Sequence, residues 1–217
     1  MTDLINRLEH AEPGQERELL VEAFPGLISA ITEAGYGGDI GWSENAACPV
    51  DPDAFAAEAI FVICNSGMRF SVAQQIYDRV MVALKGGLLH PFAVFGHEGK
   101  ADAIYYIWQN RERLHRDYMD AADKVEWCAS LPWIGNITKY HLAKNFGADV
   151  AKPDVHLQRL ADACGVGPQD LCESIGAAVG LKARTVDVVL WRACATGALD
   201  STAIACAALK ARETSRG

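Results

Sequence analysis

Residues 131–160 read LPWIGNITKYHLAKNFGADVAKPDVHLQRL, and this stretch decides the fold. Pro132 disfavours continuation of the helical pattern before it, and Gly135 allows an unusual backbone angle, so 131–135 is a tight turn. Asn136 to Phe146 carries apolar residues near helical spacing (Ile137, Tyr140, Leu142, Phe146) and stops at Gly147, a common helix end. After a loop through Pro153, Asp154 opens a further helical run with Val155, Leu157 and Leu160 apolar. Two helices joined by a Gly-containing hairpin present free backbone N–H groups that can hold a phosphate. The following loop delivers one carboxylate to a helix start.

These residues resemble the helix-hairpin-helix and Gly/Pro…Asp signature of the endonuclease III-like DNA glycosylase superfamily, whose usual form is LPGxG…(V/P)D.H. Leu131, Pro132, Gly135, Pro153, Asp154 and His156 match it. Upstream, Phe95 to Ile104 (FGHEGKADAI) is similar to the family's G…KA..I segment, and Asn65-Ser66-Gly67-Met68 stands where the family places its DNA-wedging loop. The resemblance covers about residues 61–160 and is weak outside them. It implies a divergent member with two helical lobes and an active-site cleft between them. One lobe is expected over 61–147, with the hairpin at 121–146, and the other over 1–60 plus 148–217.

Composition bounds this reading. A chain of 217 residues suffices for a sizeable core. No uncharged apolar run approaches the ~18 residues a membrane helix needs, and the N-terminus lacks a signal-peptide pattern. Seven irregularly spaced cysteines argue against a disulfide framework and for a cytoplasmic setting. Cys164, Cys172, Cys194 and Cys206 stand too far apart for the iron–sulfur cluster of some relatives, so no cofactor is expected. The histidines are scattered, and no metal site is expected. The net charge of −8 opposes DNA binding at first sight, but it is unevenly spread. Residues 1–60 hold twelve acidic and two basic residues, whereas 61–217 hold eighteen basic and sixteen acidic. The acidic arm is expected to lie away from DNA.

Apolar spacing predicts an all-α chain. Residues 2–34 read as two amphipathic helices, broken near Pro13-Gly14 and at Pro25-Gly26. Residues 36–52, rich in Gly, Asp and Pro, read as a linker. Helices are expected over 53–64, 70–84, 101–119, 121–129, 185–198 and 201–212.

The resemblance makes Asp154 the catalytic carboxylate, since breaking a base–deoxyribose bond builds positive charge on the sugar. An ordinary N-cap is the competing reading, and the two are compatible. Relatives that also cut the strand place a Schiff-base lysine two residues after the hairpin's second glycine, which is Ile137 here. An aliphatic side chain is no amine nucleophile, so a monofunctional enzyme leaving an abasic site is expected. Lys139 is the alternative nucleophile if the register differs, and otherwise a phosphate contact. Ile137, Tyr140, His141 and Trp191 are base-pocket candidates; His141 reads equally as a packed residue, a Trp placed like Trp191 is more often core, and His156 reads as an anchor for the Asp154 loop. Asn65, Ser66, Met68 and Arg69 read either as a loop that plugs the duplex after base extrusion or as an interhelical turn. Lys100, Trp133, Ile134 and Gly135 complete the expected DNA contacts, with Trp133 replacing the family's first hairpin glycine. The expected partner of this monomer is double-stranded DNA holding a modified base, in base excision repair. Two other readings stay open: a non-catalytic DNA-binding protein, and an enzyme that remodels a hypermodified pyrimidine without releasing it.

Overall fold

A computed structural model describes residues 2–12, 14–87 and 90–214. The chain is all-α, and there is no strand among the described residues. Its helices are α1 (Thr2–Glu9), α2 (Glu16–Ile31), α3 (Gly37–Asn45), α4 (Pro52–Asn65), α5 (Phe70–Lys85), α6 (Glu98–Gln109), α7 (Arg111–Asp120), α8 (Lys124–Ala129), α9 (Thr138–Asn145), α10 (Val155–Cys164), α11 (Pro168–Val179), α12 (Ala183–Thr196) and α13 (Ser201–Thr214). A π-helical turn, Thr32–Tyr36, joins α2 to α3, and a 3-10 turn, Pro91–Ala93, precedes α6. No helix among the described residues is long and apolar enough to cross a membrane.

The chain divides into two compact units, Met1–Ala46 with Asp149–Gly217, and Ala47–Ala148. A boundary at 60/61 falls inside α4. That helix packs on α5, α6, α7 and α9, so residues 47–60 belong with the second unit. In the first unit, Leu8, Leu20, Phe24, Ile31, Leu160, Leu171, Ile175, Val189 and Ile204 form one apolar core from α1, α2 and α10–α13. Helix α11 was not among the expected helices. At its Gly176, a β-carbon would lie 2.4 Å from the Leu181 carbonyl oxygen, a backbone atom with little freedom to retreat. Gly176→Ala is expected to cost about 1–3 kcal/mol through overpacking, read as a lowered denaturant midpoint.

Three local expectations differ from the structure. Helix α2 runs through Pro25. A proline inside a helix costs about 3 kcal/mol, but α2 buries Leu20, Phe24, Leu27 and Ile31 on both sides of it, each contributing about 1.5–3 kcal/mol. The expected break at Pro13-Gly14 rests on Pro13, which lies outside the described residues. The expected linker 36–52 is largely helix α3. The Arg192 guanidinium lies 4.3 Å over the Tyr36 ring and pairs with Asp39 at 2.6 Å, and Thr185 donates to Glu44 at 2.6 Å. Finally, the single helix expected over 101–119 is two, α6 and α7, hinged at Asn110 (φ −106°, ψ 11°), whose amide donates to the Tyr106 carbonyl at 2.8 Å.

Candidate active site

In the first unit, Asp154 precedes α10 and caps it. Its Oδ1 accepts the His156 and Leu157 N–H groups at 2.9 and 3.1 Å. Asp154 Oδ2 has no hydrogen-bond partner among the described residues, so capping uses one oxygen and leaves the other. The loop leading to it is fixed from three directions. Ala151 N–H donates to the Gln169 side chain at 2.7 Å, Lys152 N–H to the buried Asp187 carboxylate at 3.1 Å, and Asp154 N–H to the Lys152 carbonyl at 2.7 Å. His156 Nδ1 and Ser201 Oγ lie 3.0 Å apart, which ties the first turn of α10 to α13 and supports the anchoring role read for His156. Beside them His156, Cys194, Asp200 and Ser201 line a pocket of about 250 Å³. Burial pushes the Cys194 thiol up, against hydrogen bonds from Ser201 that pull it down. Asp187 and Ser201, which hold the Lys152 amide and the His156 ring, are neighbours of Asp154 that sequence reasoning missed.

Trp191 is not core. It is 39 % exposed, with Arg192 lying 4.6 Å over its ring. On α12 it stands about 40° around the axis from Asp187, and Cys194 about 20° on the other side. Asp187 holds the Lys152 amide and Cys194 shares the pocket with His156. The exposed indole therefore shares a helix face with the residues that hold the Asp154 loop.

In the second unit the hairpin forms, and α8 packs on α9. Asp123 caps α8 through the Val125 and Glu126 N–H groups. The unusual backbone angle falls at Trp133 (φ 65°), not at Gly135. A left-handed conformation costs a side-chain-bearing residue about 1–2 kcal/mol, so this position needs what a glycine gives freely and carries a tryptophan. Of the amides expected to hold a phosphate, Ile134 N–H is already donated to the Leu131 carbonyl at 3.2 Å, and Ile134 is buried. The Gly135, Asn136 and Ile137 N–H groups make no hydrogen bond among the described residues, and they lead into α9.

Lys100 does not offer its charge to DNA. It is 4 % exposed, its Nζ donates to the Ser66 carbonyl, and burial pulls its ammonium below the usual lysine range. Through Lys100 and its neighbours, three separate sequence motifs converge. Lys100 holds the end of α4 at Ser66, its own N–H donates to His97 Nδ1 at 3.4 Å, and the His97 ring meets the Trp133 ring edge-on at 4.9 Å. The turn after α4 is closed by Met68 N–H to the Asn65 carbonyl at 3.1 Å, with Gly67 left-handed (φ 70°). Met68 is half-buried, whereas Arg69 is exposed and has no ion-pair partner among the described residues.

Around the start of α9, Ile137 is 42 % exposed, and Tyr140 and His141 are half-buried. Lys139 pairs with Glu126 and lies 5.4 Å over the Tyr140 ring. The hydrogen bond to Glu126 raises the Lys139 ammonium above its usual range.

The chain finds no match among family signatures, curated proteins or solved structures. All seven cysteines are free thiols, and no group of three or more His, Cys, Asp or Glu among the described residues could hold a metal ion. Of the expected site residues, Asp154 and Trp191 belong to the first unit. Asn65 to Arg69, Lys100, Trp133 to Gly135, Ile137 and Lys139 to His141 belong to the second.

Proposed function

We propose that this protein is a DNA glycosylase of the helix-hairpin-helix superfamily, acting on a modified base in duplex DNA. The observation that carries the reading is Asp154: a carboxylate with one oxygen spent on its helix and one unspent, on a loop pinned by Asp187 and Gln169. As the bond from the base nitrogen to the sugar's anomeric carbon breaks, the electron pair leaves with the base and the sugar becomes cationic. Asp154 Oδ2 lies in reach of no competing donor, so it is available to stabilise that cation and to orient the water that adds to it. The water that adds gives up its proton to the Asp154 carboxylate, and that proton goes on to the departed base anion, so the step ends as neutral base and abasic sugar. The unpaired amides at Gly135–Ile137 are the phosphate grip, and the exposed Arg69 is a cationic contact of the kind that positions a duplex without reading sequence.

The same reading makes the enzyme monofunctional. A Schiff-base nucleophile must be an unprotonated amine. Ile137 has none. Lys139 is held as an ammonium by Glu126, and its free-base fraction shrinks further as pH falls. Sodium borohydride is therefore expected to trap no protein–DNA adduct at neutral pH, and strands should break only after hot alkali. A trapped adduct lost in Lys139→Ala would make Lys139 the nucleophile.

The test of the whole reading is mass spectrometry of bases released from a mixed pool of oxidised, alkylated, deaminated and hypermodified DNA. A free base in the supernatant supports excision and names the substrate. Altered DNA with no free base would favour remodelling of a modified pyrimidine. Binding with neither would leave a non-catalytic hairpin protein.

A further inference from the structure

Trp133 carries a side chain on a left-handed backbone, at φ 65°, and the residue is nearly half exposed. Backbone strain of this kind persists where surrounding structure enforces it, and it gathers at functional sites. The enforcing structure is visible. The indole's six-membered ring lies against Gly99, where a β-carbon would come within 2.6 Å of it, and the His97 ring meets it edge-on. With those contacts made, Trp133 as a residue is still 45 % exposed. Two residues on, the unpaired Gly135–Ile137 amides open α9, whose dipole favours an anion. Trp133 and Gly135 are separated by two Cα–Cα steps, so their Cα atoms stand within about 7.6 Å.

A flat aromatic surface beside a phosphate grip recognises a base whose own face is uncovered. Inside an intact duplex each base is covered above and below by its neighbours. An unpaired or extruded base offers a face. We infer that the Trp133 indole is a stacking site for an unpaired nucleobase next to the phosphate held by the hairpin, so that the protein prefers DNA with an extrahelical nucleotide to a perfect duplex. This rests on the DNA-binding reading and adds to it the feature of DNA that is sought. His97 and Gly99 act through the indole as positioning residues.

The test is fluorescence anisotropy at fixed salt, with one labelled duplex prepared perfect and with a single-nucleotide bulge. Wild type is expected to bind the bulged form about tenfold tighter, the range of one base–aromatic stack. Trp133→Gly should bring that ratio close to one and, by relieving strain, should melt no lower than wild type. Trp133→Phe should keep most of the preference. Gly99→Ala, which displaces the ring without removing it, should reduce it. An undiminished ratio in Trp133→Gly overturns the stacking site while sparing the DNA reading, and so does a wild type that binds both duplexes equally. A wild type that binds neither overturns the DNA reading, and the stacking site with it.

Discussion

Asp154→Asn is expected to abolish base release while leaving the protein's thermal stability where it was. Asparagine caps a helix about as well as aspartate, so the bonds from the His156 and Leu157 amides survive the change. What disappears is the negative charge on the unspent oxygen. A positioned acid–base group is worth about 10²–10⁴-fold in rate, and excision should fall by that order. Asp154→Ala separates the two roles, since it removes the cap as well, at about 1 kcal/mol, without lowering activity much below the Asn variant. The measurement is single-turnover release of the base named by the pool experiment, alongside a melting curve. Normal release by the Asn variant would reduce Asp154 to a cap and remove the main support for catalysis.

Asp154 could be read from sequence because its evidence is local. An Asp preceding an apolar-periodic run announces a cap, and helix starts at Asp51, Asp123 and Asp154 all form that way. The helices over 52–65 and 70–85 were likewise legible, since their burial follows their own spacing. What escaped depends on partners far along the chain. Helix α3 looks like a Gly-rich linker until Arg192 and Thr185, more than 140 residues on, engage Tyr36, Asp39 and Glu44. Lys100 looks like a phosphate ligand until the Ser66 carbonyl takes its ammonium. Asp187 carries no motif, and only the Lys152 amide reveals its part in holding the Asp154 loop. The left-handed residue was assigned to the glycine, the usual choice, but the turn bends two residues earlier, at Trp133. A closing bond from Ile134 to Leu131 fixes that geometry regardless of the side chain.

The largest loss of stability is expected from Phe55→Ala. Phe55 is fully buried in α4, and its ring stacks on Phe146 with centroids 4.4 Å apart and planes 13° off parallel. His115, Tyr118 and Trp127 close around it at 5.2, 5.6 and 5.9 Å. These partners come from α7, from α8 and from the residue that ends α9, so one ring joins four helices. Rigid aromatic neighbours collapse poorly into a void, which puts the cost near the upper part of the about 3–5 kcal/mol typical of Phe→Ala. Against the 5–15 kcal/mol that holds a domain together, that is enough to leave the second unit marginal. Denaturant titration followed by fluorescence reads it directly, since Trp127 lies in the same cluster. A loss below about 1 kcal/mol would mean that the cage rearranges freely. The effect should reach function by a different route from Asp154. Trp127 and Phe146 belong to the two arms of the hairpin, so loosening the ring between them should weaken DNA binding. Asp154→Asn should leave binding intact and remove only the chemistry.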